Sequence, residues 1–399
     1  MGFLRWGGLV ARAALFVSTH SGELPFTARA SYTQNTFDAV TALQNWYDVS
    51  TGLWATTGWW NSANCLTVLA DWALIDRTGA SNNMSIATVI SNTFANAQNT
   101  VATAQKTVSL NGTVSSKYIY YKRDIAARGF SNFLNEYYDD EGWWALAWIR
   151  SWDVTQNDAF LSIAEVIFSD MRNGTDDTCG GGIWWSKDRK YKNAIANELY
   201  LSVAASLANR VPGRKDYYLD IAKREWAWFK SSGMINENKL INDGLKINSD
   251  GSCVNNGLNT WSYNQGVVLG GLAELSVASG DKSYLSEAVG IAKAAIMLLS
   301  DHTGVLHESG GCEPNCGGDG SQFKGIFVRN LRYLQSVAPQ DAFRVAIQAN
   351  ANSIWATNRD ETSNRLGISW TGPVSAGGGP NASTHSSAMD VLVAAIAVS

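Results

Sequence analysis

Two aspartates stand side by side at Asp139 and Asp140, within the run Asn135-Glu136-Tyr137-Tyr138-Asp139-Asp140-Glu141-Gly142-Trp143-Trp144. Hydrolysis of a glycoside uses two carboxyl groups flanking the scissile bond. A retaining enzyme holds them ~5–5.5 Å apart, one as nucleophile and the other as acid/base. Neighbouring aspartates in a turn both reach a common point, whereas in a regular helix their side chains diverge by about 100°. The pair is therefore expected just before a helix, with Gly142 separating the acids from the apolar run that begins at Trp143. A carboxylate facing free helix N–H groups is stabilised as an anion, which suits a nucleophile. Its charge disfavours ionisation of the neighbour, which keeps its proton and serves as acid. The flanking Tyr137, Tyr138, Trp143 and Trp144 lower the local dielectric and offer a stacking surface. The plainer reading is that acids at a helix start are caps and dipole partners. Asp176 and Asp177, ahead of Gly180-Gly181-Gly182 and Trp184-Trp185, form a rival acidic pair without the Tyr-rich approach.

A polyol ligand needs convergent donors, acceptors and aromatic faces. Candidates of those types are Asn61, Asn64, Tyr138, Trp143, Asn193, Asn197, Tyr263, Gln265, Lys324 and Trp370. The alternative for some of them is capping helices or satisfying loop backbone. His20, His302, His307 and His385 are scattered and form neither a triad nor a metal motif. The three glycines at 180–182 are not followed by the Lys-Ser/Thr of a phosphate loop.

The elements that position these residues read as helical almost throughout. Apolar residues recur at three and four, as in Leu66, Leu69, Trp72 and Ala73, and again in Leu146, Ile149 and Trp152. A rough internal repeat is superimposed. Six loops of Gly, aromatic and small polar residues each lead into an apolar helix. They are Thr57-Gly58-Trp59-Trp60-Asn61, Tyr138 to Trp144, Gly180 to Trp185, Asn259 to Gln265, Gly318 to Lys324 and Gly379 to His385. The apolar helices are expected at 62–77, 143–153 and 190–207, and then up to 279, 337 and 398. Ordinary amphipathic segments alternate with them near 35–50, 82–105, 157–171, 215–232, 282–299 and 340–357. Such alternation predicts an all-α fold, an (α/α)6 barrel whose inner helices point one way and gather the Gly/Trp loops at one mouth. Two decorations of that mouth are expected. One is a hairpin within 236–258 turning at Asp243-Gly244, and the other is the Gly- and Cys-rich stretch 302–320.

Composition bounds the function. The chain has 399 residues, 45% of them hydrophobic and 17% charged, with a net charge of −4. That balance is too mild to point to nucleic acid or an anionic membrane. The 17 Trp, 14 Tyr and 13 Phe imply either a large aromatic core or platforms for the apolar faces of sugar rings. No apolar run reaches the 18 residues of a membrane span, and the C-terminus lacks a polar spacer followed by a hydrophobic tail. Residues 1–30 read as a signal or leader segment, although Arg12 interrupts its apolar stretch. Residues 31–399 read as one catalytic domain. Sequons at Asn83, Asn111, Asn173 and Asn381 agree with secretion. Among Cys65, Cys179, Cys253, Cys312 and Cys316, the close pair at 312 and 316 looks like a disulfide-closed loop. A metal site is the alternative there, but no His lies at ligand spacing.

The run Tyr137-Tyr138-Asp139-Asp140-Glu141-Gly142-Trp143-Trp144-Ala145-Leu146-Ala147-Trp148 resembles the signature of glycoside hydrolase family 76. Trp59-Trp60-Asn61-Ser62-Ala63-Asn64, Trp261-Ser262-Tyr263-Asn264-Gln265-Gly266 and Phe323-Lys324-Gly325-Ile326 are similar to the family as well. The resemblance runs from about residue 35 to the end. It implies an (α/α)6 barrel and retaining, endo-acting hydrolysis of α-1,6-mannan by a secreted or wall-associated monomer. Asp139 would be nucleophile and Asp140 acid/base, with no metal or organic cofactor. Two other outcomes stay open on the same residues. One is transfer of the covalent glycosyl intermediate to a sugar acceptor, and the other is a non-catalytic mannan-binding protein.

Overall fold

A computed structural model describes residues 26–83, 86–109, 114–120 and 130–399. In chain order, α1 (Phe26–Gln44) is followed by α2 (Trp59–Ile75), the short α3 (Arg77–Asn83) and α4 (Ile86–Asn96). Next come α5 (Tyr138–Thr155), α6 (Asp158–Met171), α7 (Ala194–Arg210) and α8 (Lys215–Ser231), then α9 (Ser262–Ser279) and α10 (Ser283–Leu299). The one-turn α11 (Gly317–Gly320) precedes α12 (Phe323–Val337), α13 (Asp341–Thr357) and α14 (Ala382–Ala397).

Six of these close a ring. Helix α2 packs on α5, α5 on α7, α7 on α9, α9 on α12, α12 on α14, and α14 back on α2. Sequence explains which helices are inside. On α14 every residue from Ala382 to Ile396 is buried, whereas α13 buries Phe343, Ala346, Ile347, Asn350, Ala351 and Ile354, the single stripe of an outer helix. Close crossings within the ring rely on glycine. A Cβ on Gly266 would sit 2.5 Å from Phe327 Cα, and one on Gly325 would sit 2.5 Å from Ser387 Cα. The expected (α/α)6 architecture is the one observed.

Away from the mouth, charged side chains from all six inner helices are tied together. Asp71 on α2 meets Arg150 on α5, and on α12 it meets Arg332 at 2.9 Å and the Tyr333 hydroxyl at 2.6 Å. Asp153 accepts from Arg150 and from Arg210 of α7, each at 2.8 Å, and Arg210 reaches Glu274 of α9 at 2.9 Å. Arg329 of α12 faces Asp390 of α14 at 3.4 Å. At Asp71 the desolvation of burial is outweighed by Arg150 and Arg332.

Three antiparallel hairpins decorate the ring: β1 (Tyr47–Asp48) with β2 (Leu53–Trp54), β3 (Val101–Val108) with β4 (Val114–Tyr120), and β5 (Leu245–Ile247) with β6 (Cys253–Asn255). Two expectations are corrected here. The amphipathic segment at 82–105 ends as helix before Val101, where β3 begins. The hairpin within 236–258 turns at residues 248–252, where Asn248 and Ser252 close the turn, and not at Asp243-Gly244. Gly244 lies instead against Asn193 and Lys192, where the Asp243 carbonyl accepts the Ala194 N–H.

Disulfides join Cys179 to Cys253 and Cys312 to Cys316, and Cys65 is a buried free thiol. Asn173 is exposed, whereas Asn381 spends its side chain capping α14. The Asn83 side chain, Asn111 and most of the leader segment lie outside the described residues.

Candidate active site

Helix α5 starts at Tyr138, so Asp139 and Asp140 lie in its first turn and not ahead of it, as the sequence had suggested. The first-turn N–H groups of a helix have no intrahelical acceptor, and that turn welcomes acids. Glu141 uses the position differently. Its carboxylate accepts the Asn135 N–H at 3.0 Å and pairs with Lys187 at 3.0 Å, fixing the loop that enters the helix.

The two aspartates nevertheless converge. The Lys106 ammonium, on β3, lies 2.7 Å from Asp139 Oδ2 and also pairs with Asp140 Oδ1. Two charge-assisted bonds meeting at one nitrogen hold the facing oxygens within about 5.5 Å of each other. Asp140 is fully buried. Its Oδ2 accepts from Asn135 Nδ2 at 2.7 Å and from the Tyr118 hydroxyl at 3.0 Å. Burial pushes the Asp140 carboxyl up to about 7, the Lys106 charge opposes that rise, and the Asp139 charge adds to it. The second oxygen of Asp139 has no hydrogen-bond partner among the described residues. One carboxyl thus retains a proton near neutrality while its neighbour keeps a lone pair free. Burial alone would weaken the Lys106 ammonium, but Asp139 and Asp140 outweigh it and hold the group charged.

Two further acids face this centre. Asp319, in α11, accepts from Trp60 Nε1 at 3.0 Å and from Ser116 Oγ at 2.8 Å. Asp243, bonded to the Tyr191 hydroxyl, is pushed up to about 6 by burial, with the Asp139 charge adding to the rise. A column of near-parallel rings is built from the N-terminal parts of four inner helices. Trp60 stacks on Trp143 (5.4 Å between centroids), Trp143 on Tyr263 (6.4 Å) and Tyr263 on Phe323 (3.7 Å). A cavity of about 570 Å³ is lined in part by Thr57, Asn61, Ser116, Tyr118, Asp319 and Ser383; Asp139 and Asp140 do not line it, and Tyr118 stands between it and Asp140.

The residues read from sequence as sugar contacts divide into two groups. Asn61 lines this cavity while donating to Gln322 at 2.9 Å, Trp143 and Tyr263 stack in the ring column, and Tyr138 packs its ring against Gly174. The other six are buried, and five of them turn their polar groups to the protein itself. Asn193 caps α7, and Asn197 binds both the N–H and the carbonyl of Ile183. Gln265 does the same for Ile241, and Asn64 accepts from Arg329. Lys324 pairs with Glu313 at 2.6 Å, donates to the Ile368 carbonyl at 3.1 Å, and lies over the Trp370 ring. Irregular mouth loops carry backbone groups that need partners when buried, and these side chains supply them. The rival acid Asp176 is likewise structural. Lys192 and Trp184 bind it, outweigh its burial, and hold its carboxyl down at about 2.

Lys106, Tyr118, Asp243 and Asp319 carry no local signal in the sequence because they reach the pair from distant elements. Asn135, just ahead of the signature run, is near in sequence as well as in space.

Comparison with known proteins agrees with this arrangement. Among solved structures, an α-1,6-mannanase from Salegentibacter sp. HEL1_6 superposes with a TM-score of 0.73 at 21% identity, covering 92% of this chain and 100% of that one. Dfg5 from Chaetomium thermophilum, solved with glucosamine, gives 0.71 at 18% identity, covering 94% and 91%. A mannan endo-1,6-alpha-mannosidase of Candida albicans, DFG5, is 30% identical over 236 residues, which is 55% of this chain and 51% of that protein. The Saccharomyces cerevisiae enzyme DCW1, carrying the same activity name, is 28% identical over 233 residues, again 55% and 51%. The chain thus spans about half the length of the curated relatives it matches. The model of Glycosyl hydrolase family 76 matches residues 27–398, nearly the whole described chain, and with the ring of helices and the paired acids at its mouth the chain belongs to that family.

Proposed function

We propose that the protein is a retaining endo-glycosidase that hydrolyses α-1,6-mannosidic bonds. The observation that carries this reading is the convergence of Asp139 and Asp140 on one point, with Asp140 protonated up to about pH 7. Asp139 attacks the anomeric carbon, and Asp140 gives its proton to the departing glycosidic oxygen. Asp140 then takes a proton from water, which opens the glycosyl ester. Asn135 and Tyr118 donate to one oxygen of Asp140 and so orient it. Asp243 and Asp319 supply acceptors for sugar hydroxyls at the edge of the centre. The substrate is inferred from the relatives. The curated ones bear the mannan endo-1,6-alpha-mannosidase name, and an inactive variant of the Salegentibacter enzyme, with two consecutive aspartates replaced by asparagine, was solved with α-1,6-mannotriose. Two disulfides and an exposed sequon at Asn173 support an extracellular setting.

Incubation with linear α-1,6-mannan tests the reading. Shorter oligomers are the expected products. Longer or hybrid chains would establish transfer to a sugar acceptor instead, and intact polymer would leave only binding.

A further inference from the structure

The β3–β4 hairpin lies on the catalytic pair with a polar face. Its inward residues are Ala104, Lys106, Ser116 and Tyr118, with Lys106 paired to Ser116 and Ala104 to Tyr118 across the ladder. Thr103, Gln105, Thr107, Ser115, Lys117 and Ile119 face outward and are exposed. The inner face meets charge: Lys106 lies on Asp139 and Asp140, Ser116 on Asp319, Tyr118 on Asp140, and the Lys106 N–H donates to the Tyr137 hydroxyl at 2.9 Å. The Lys106 side chain is 2% exposed, that of Asp139 9% and that of Asp140 0%.

A reacting sugar needs this same space. Its anomeric carbon must come to about 3–3.5 Å from the nucleophile, and its leaving oxygen must lie within hydrogen-bond reach of the acid. The Lys106 ammonium already fills the point that both carboxylates share. Ammonium and sugar cannot occupy it together.

We propose that the β3–β4 hairpin is a latch over the active site, with Lys106 standing in the place of the reacting sugar until glycan displaces it. This rests on the reading of Asp139 and Asp140 as the catalytic pair. The latch is built to open. A two-stranded hairpin has little stability of its own in water, and among the described side chains of its inner face Ala104 is the only aliphatic one buried against the barrel. Its hold is mainly ionic, and a buried ion pair repays little beyond its own desolvation. Opening therefore returns the Lys106 ammonium to water at modest net cost. The glycan's apparent affinity is reduced by the fraction of molecules with the latch closed.

The test compares wild type with Lys106→Met, by hydrogen exchange of the β3 and β4 amides without sugar and by kcat and KM on α-1,6-mannotetraose. Exchange is expected to quicken throughout the hairpin in the variant and KM to fall about tenfold, whatever happens to kcat. The double variant Ser116→Ala/Tyr118→Phe, which keeps the cation, should move both readouts the same way by less. Unchanged hairpin exchange, or a KM that rises, would overturn the latch and make Lys106 a fixed part of the site. A wild type that does not turn mannotetraose over would instead sink the mannan reading, while the exchange comparison still decides whether Lys106 holds the hairpin shut.

Discussion

At the scale of single residues, the proposed chemistry rests on unequal environments for two identical side chains. Asp140 is enclosed by Asn135, Tyr118 and Lys106, while Asp139 leaves one oxygen unbonded. With the Asp140 carboxyl pushed up to about 7, the acid is active only below that pH. The expected kcat/KM therefore falls as pH rises through about 7, a limb that a pH–rate profile of the free enzyme reports. Asp140→Asn should lower kcat/KM by about 10²–10⁴-fold and remove that limb. A variant that keeps the wild-type profile would show that another group gives the proton. The pair was legible in the sequence because adjacency and the Tyr/Trp surround are local. Lys106, Asp243 and Asp319 were not, since nothing near them in the chain marks them as neighbours of Asp139. Several Asn and Gln side chains were read as sugar contacts because amide chemistry does not distinguish a polyol hydroxyl from a loop peptide group. Asn197 and Gln265 bind the latter.

At the scale of elements, helix periodicity carried most of the architecture. Outer helices such as α13 bury a single stripe, whereas inner ones such as α14 are buried on every side even where they carry Ser, Thr, His and Asp. The β3–β4 hairpin was hidden for a physical reason. Strands announce themselves by alternating apolar and polar residues, but this hairpin turns Lys106 and Ser116 inward toward acids, and its pattern is blurred. Helix crossings within the ring make a sharper prediction. Gly325 lies against the Ser387 backbone, which cannot rotate away as a side chain would. Gly325→Ala should destabilise the fold by about 1–3 kcal/mol through overpacking, despite the better helix propensity of alanine. A denaturant midpoint equal to that of wild type would show that α12 and α14 do not approach as closely as described.

At the scale of the whole molecule, buried acids set how stability depends on pH. Burial pushes Glu225 up to about 8, Glu308 and Asp390 up to about 7, alongside Asp140. Unfolded carboxyls titrate near 4. Each of these groups therefore contributes stability that is complete below about pH 4 and lost as pH rises through 7 to 8. Opposing them, burial holds His385 neutral and pulls it down to about 4, a contribution present above the unfolded value of about 6.5 and lost as pH falls. Four acids outweigh one imidazole, so the melting temperature should be higher at pH 6 than at pH 8.5. The reverse order would mean that these carboxyls are better hydrated than their burial implies. The proposed double displacement is decided at the anomeric carbon. NMR of the first-formed product from linear α-1,6-mannan, recorded before mutarotation, is predicted to show the α anomer, as two successive displacements through Asp139 require. An initial β anomer would mean that water attacks directly, and the convergence of the two aspartates would then need another explanation.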